Sequence, residues 1–84
     1  MKQDRKYELK SFNGTLKTKQ AVSENENYWK LIGQTGRVIS SAEEQDFPDK
    51  NRVLFQFDID VQKLELECHN QKPNALWILK TDLK

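Results

Sequence analysis

Cys68 and His69 are the one thiol and the one imidazole of the chain, and they are neighbours. That pairing invites a metal site or an activated nucleophile. A tetrahedral metal site needs four donors, and adjacent residues on a strand point to opposite faces, so the pair cannot build one. Nucleophilic catalysis needs the imidazole within hydrogen-bond reach of the thiol, which the same splay prevents. Cys68 therefore reads as a core cysteine, and neither a metal nor a cofactor is expected.

Paired carboxylates are the next candidates, with Asp58 and Asp60, or Glu65 and Glu67, at the i, i+2 spacing that shares one strand face. General acid–base chemistry needs one member desolvated so that the two pKa values separate. Only Leu54 offers apolar surroundings on that face, so both pairs read as solvated. Gly33-Gln34-Thr35-Gly36 lacks the long glycine-rich span and the Lys-Ser/Thr ending of a phosphate loop, and no serine sits in a Gly-x-Ser-x-Gly elbow. An active site made by this chain alone is not expected, and the reading is of a binding protein rather than an enzyme.

Aromatic residues carry the better signal. Tyr28 and Trp29 are adjacent and cannot easily both be buried, while Trp77 is flanked by Leu76 and Ile78, which suit the core better. Together with Phe47, these rings are expected to line a shallow rim. An extended proline-rich or basic peptide would lie on them beside Glu43, Glu44, Asp46 and Asp49. Single-stranded nucleic acid would instead stack bases on the rings while Lys17, Lys19, Arg37 and Lys80 track the phosphates. A protein partner is the leading expectation and nucleic acid the alternative. A third is an accessory subunit of a larger complex, or a weak homodimer through a strand edge in place of a monomer.

The elements that must position these residues are short. Asn13-Gly14 is a turn signal, and residues 15–22 alternate weakly enough to suit an outer strand. Tyr28 to Ile32 reads as a single helical turn or an irregular segment with Trp29, Leu31 or Ile32 packed inward. Gly33 and Gly36 bracket a tight turn because glycine accepts positive φ. A strand over 37–40 follows, and then a loop over 41–51 broken by Pro48. Residues 52–59 form the clearest strand, placing Val53, Phe55, Phe57 and Ile59 on one face by strict alternation. Leu64, Leu66 and Cys68 predict a fourth strand over 64–68, residues 76–79 a bridging turn, and residues 80–84 a final edge strand anchored by Leu83.

Composition bounds the rest. An 84-residue chain holds one core. Its aromatic content, four Phe, two Trp and two Tyr, supplies enough area to dispense with a disulfide or a metal. Formal charge is +1, so the whole molecule exerts no strong field on nucleic acid or an anionic membrane. The charge is nevertheless uneven, with six Lys/Arg against two acids in residues 1–20 and three against six in residues 21–50. Residues 1–12 read as a partly flexible, basic N-terminal arm ordered from about Tyr7 onward, and residues 13–84 as the single domain. A lone cysteine and the absence of any apolar leader or run of about 20 apolar residues predict a soluble cytoplasmic protein that does not enter a membrane.

The order of segments resembles the small bacterial SH3-like barrels, including KOW-type and related accessory domains. The residues that carry the resemblance are Leu31-Ile32-Gly33-x-x-Gly36-x-Val38, then Arg52-Val53-Leu54-Phe55-Gln56-Phe57-Asp58, then Leu76-Trp77-Ile78 ahead of Asp82-Leu83. It implies an all-β fold, a small five-stranded antiparallel SH3-like barrel with a short helical turn. This chain is less basic than the KOW-type domains and lacks the Ala-Leu-Tyr-like opening of a peptide-binding SH3 groove. The resemblance therefore carries the fold and no particular ligand.

Overall fold

The structure is a computed structural model that describes residues 5–16, 27–64, 66 and 72–84. Four strands, β1 (Lys6–Glu8), β2 (Thr35–Ser41), β3 (Arg52–Phe57) and β4 (Ala75–Leu79), form one antiparallel sheet in the order β1-β2-β3-β4. Short 3-10 turns at Tyr28–Leu31, Val61–Leu64 and Lys80–Asp82 accompany the strands, so the fold is all-β.

The alternation in β3 works as expected from Val53 to Phe57. The strand ends there, and Ile59, expected in the same row, lies in the bend beyond it and packs half-buried against the core. Val53, Phe55 and Phe57 are buried against Leu9, Phe12, Leu31, Val38, Val61, Leu66, Leu76, Ile78 and Leu83, which make the main core. Cross-strand partners share a face, and Val38, Leu76 and Ile78 stand opposite residues of this apolar row. Gly36 belongs to β2 and has no positive φ, which corrects its assignment to a tight turn. Its role is close approach: a Cβ there would lie 2.2 Å from the Gln56 carbonyl oxygen and 2.8 Å from Cε2 of Phe55. Gly33 does take positive φ, +95°, one residue beyond the Ile32 cap of the Tyr28–Leu31 turn.

Asn13-Gly14 forms the tip of a two-residue hairpin. Phe12 and Thr15 exchange backbone hydrogen bonds of 2.9 and 3.0 Å, and both tip residues have positive φ, 50° and 78°. Left-handed backbone at both positions is what a tight hairpin needs to match strand twist, and Asn-Gly tolerates it best.

Several boundaries differ from expectation. The sheet is an open one of four strands rather than a closed five-stranded barrel. The segment expected as a bridging turn is strand β4, and the segment expected as the last strand is a 3-10 turn followed by a single bridge between Leu9 and Leu83. An uninterrupted apolar run, Leu76 to Leu79, hides its period of two because both faces of β4 are covered. The strand expected over 64–68 begins with Leu64 in a 3-10 turn; of the remainder only Leu66, a core residue, lies among the described residues, and Cys68 falls outside them. Of the strand expected over 15–22, residues 17–22 lie outside the described residues.

The N-terminal stretch read as an arm contributes to the domain. Lys6–Glu8 pairs with β2, and Leu9 and Phe12 are core residues. Backbone hydrogen bonds between Glu8 and Lys84 (2.9 and 3.0 Å), and from Lys10 to the Asp82 carbonyl (2.8 Å), tie this stretch to the last residues of the chain.

Candidate functional site: two aromatic groups and the arginine between them

The face of the sheet opposite the main core carries the first group. Leu54 pairs with Trp77 on one side and with Ser40 on the other, so all three share this outer face. A bulge between Val38 and Ser40 turns Ser40 outward and sends the chain into the connection between β2 and β3. That connection folds back over the face. Ser41 and Glu44 exchange capping hydrogen bonds of 3.1 Å, Gln45 donates to the Ser40 hydroxyl, and the Phe47 N–H reaches the Ala42 carbonyl at 2.8 Å. Asp46 takes positive φ, 52°, just before Phe47.

Phe47 then lies flat on Trp77, with ring centroids 4.0 Å apart and planes 5° from parallel. Both rings are half-buried, and Leu54 and Ala42 are buried on the same face. Glu43 and Asp46, which flank the approach to Phe47 in the connection, are exposed.

The second group lies around the hairpin. Phe12 packs edge-on against Trp29 at 4.9 Å and tilted against Tyr28 at 5.5 Å. The Trp29 indole N–H donates to the Thr15 hydroxyl at 3.0 Å, which in turn donates to the Phe12 carbonyl at 3.1 Å. Tyr28 and Trp29 are half-buried and rest on the main core. The four expected rim aromatics therefore divide into two pairs, Phe47 with Trp77 and Tyr28 with Trp29.

Arg52 stands between the groups. Its Nε donates to Asp49 at 3.1 Å, one terminal nitrogen to the Trp77 carbonyl at 3.1 Å, and the other to the Asn13 side-chain oxygen at 2.8 Å. Asp82 holds the same hairpin from another side. Its carboxylate is 1% exposed and accepts hydrogen bonds from the Ser11 hydroxyl and the Asn13 and Gly14 N–H groups. Neither residue was singled out from the sequence as a site residue. In sequence Arg52 is a polar position on the face of the strand opposite Val53, and nothing about an acid between Thr81 and Leu83 signals burial.

Of the expected basic residues, Arg37 is exposed on β2 directly opposite Lys6 of β1. Lys17 and Lys19 lie outside the described residues, as do Glu65, Glu67, Cys68 and His69. Lys6 bonds Asp58, and Thr35 adds a second donor at 2.9 Å. The Lys6 hydrogen bond first, and the Thr35 one next, hold the Asp58 carboxyl below the usual carboxylate range. Asp60 accepts the Gln62 N–H at 3.1 Å. Among the described residues no three His, Cys, Asp or Glu side chains come together as a metal site, and no helix is long and apolar enough to cross a membrane.

Comparison with family models, with curated proteins and with solved structures finds no match to this chain.

Proposed function

We propose that this protein is a non-enzymatic binding module that holds an extended, basic segment of a protein partner on the Phe47–Trp77 stack. We read its sheet as the body of a small SH3-like barrel in which the Leu83 bridge replaces the fifth strand. Backbone bonds between the residues around β1 and residues 82–84 support that fold reading. The observation that carries the functional reading is the stack itself, two parallel rings half-exposed on the outer face, in a connection that also carries the exposed Glu43 and Asp46. A Lys or Arg side chain of the partner would lay its stem or guanidinium on a ring while its charge meets the carboxylates. An extended segment loses little conformational freedom on docking, and a rigid tryptophan anchor is the residue type that dominates such contacts.

The test is affinity capture from lysate of the source organism after nuclease treatment, with wild type, Trp77→Ala and the Glu43→Lys/Asp46→Lys double variant. A partner retained by wild type and lost by both variants, each still folded by circular dichroism, is the expected result. A partner recovered equally by all three overturns the reading.

A second reading rests on Lys6 and Arg37, which stand side by side and exposed across β1 and β2. They suit phosphates, and nucleic acid is the alternative ligand; Asp58 among them offsets part of that charge. Binding to short RNA or DNA that falls steeply with salt would favour it, and salt-insensitive or undetectable binding removes it.

A further inference from the structure

We infer that Arg52 is a positioning residue that locks the Phe47–Trp77 stack and the aromatic hairpin into one mechanically coupled unit, so that displacement of either group is transmitted to the other. This goes beyond the ligand reading and does not depend on it.

The coupling follows from where the three hydrogen bonds end. Asp49 belongs to the connection that carries Phe47, and its carboxylate also accepts the Asn51 N–H at 3.0 Å, so it is itself fixed in the turn that closes the connection. Trp77 is the other half of the stack, and Arg52 binds its backbone rather than its ring. The register explains why that carbonyl is available. Asn74 and Lys80 bond β3 neighbours through Phe57 and Asn51, so by alternation Trp77 turns its backbone groups away from β3. Asn13 is the tip of the hairpin that also holds Phe12 and Thr15, and through them Trp29.

A planar guanidinium presents donors in fixed directions, so one orientation of the group serves acceptors on three segments at once. A lysine ammonium at the end of a flexible stem keeps the charge but not this geometry. Asp82 supplies the hairpin with a second anchor, but its bonds run to Ser11, Asn13 and Gly14 and touch neither Phe47 nor Trp77. Arg52 hydrogen-bonds both the hairpin tip and the backbone of the stack.

The two tryptophans make this measurable, since each has one indole N–H and they sit one in each group. In the full-length 15N-labelled chain, Arg52→Gln and Arg52→Lys should both shift the Trp77 and Trp29 indole signals and speed hydrogen exchange at the Trp29 indole by about tenfold, by freeing local opening of the hairpin. The Trp29 indole donates to Thr15 and not to an Arg52 acceptor, so a role confined to Arg52's own hydrogen bonds would leave its exchange unchanged. Asn13→Gly accommodates the left-handed backbone and removes the acceptor while adding backbone freedom; it should speed Trp29 exchange on its own, and by less in an Arg52→Lys background, where the acceptor is already without its guanidinium. Asp49→Asn should disturb the Trp29 signal in wild type but not in an Arg52→Gln background, because the link is already cut there. Should Arg52→Gln fail to fold, Asn13→Gly and Asp49→Asn decide the matter. Trp29 exchange unchanged in Asn13→Gly, or both indole signals preserved in Arg52→Lys, overturns the proposal: the first would leave the hairpin to Asp82, and the second would reduce Arg52 to a charge.

Discussion

The inner face of the sheet is packed by residues drawn from the whole described chain, from Leu9 to Leu83, whereas the outer face is covered by the connection between β2 and β3. The inner side is one shared core cluster, and its burial is nearly complete: Leu9, Leu31, Phe55, Val61 and Ile78 have no measurable exposure. On the outer side, the connection lays Phe47 over Trp77 and is tied down by a few hydrogen bonds to Ser40, Ser41 and Arg52. Cooperative stability should therefore live on the inner face, and adaptable recognition on the outer one, because surfaces that open cheaply have few buried apolar contacts.

The sharpest way to break this contrast is to truncate one ring on each side. Phe55→Ala should cost about 3–5 kcal/mol, seen as a fall in the urea midpoint or as loss of the folded state, because a fully buried ring leaves a cavity in the shared core. Gly36→Ala should follow at about 2–3 kcal/mol by the same measurement, since its Cβ would meet backbone that cannot move without parting β2 from β3. Trp77→Ala should cost only about 1–2 kcal/mol, the loss of one stacked pair and of part of the cover over Leu54, with the unfolding transition still cooperative. A collapse as large as that of Phe55→Ala would mean that the outer face is a second core.

The smallest effect belongs to the ion pair at the edge of the sheet. Asp58 has a folded pKa below its unfolded value, so its contribution is present above the ordinary carboxylate range and is lost as pH falls through the lower folded value. Wild type and Asp58→Asn should therefore differ slightly in thermal midpoint near neutral pH, and the gap should close on acidification through that window. High salt should shrink the difference too, as the pair is exposed to solvent. A gap that widens on acidification would show the sign to be wrong.

Much of the inner face is legible along the chain, and little of the outer face is. Strict alternation from Val53 to Phe57 marks the core strand because one side of β3 meets only apolar neighbours. Alternation misleads at Ser40, which falls in step with Gly36 and Val38 yet faces outward, since the bulge inserts a residue that no pattern announces. It fails also at Leu54 and along Leu76 to Leu79, where apolar residues on both faces erase the period. The aromatic residues were recognisable as candidates by type, but their division into two groups was not.

The sequence by itself determined an all-β domain, a turn at Asn13-Gly14 and the apolar row of β3, because each is written in residues close enough to interact locally. Only the tertiary structure decided that Phe47 lies on Trp77, that Asp82 is buried beneath the hairpin, and that Arg52 reaches Asn13, Asp49 and Trp77 together. Those contacts, save the one to Asp49, join segments far apart in the chain. Their geometry is set by sheet register, a bulge and the path of one connection, none of which leaves a local periodic trace.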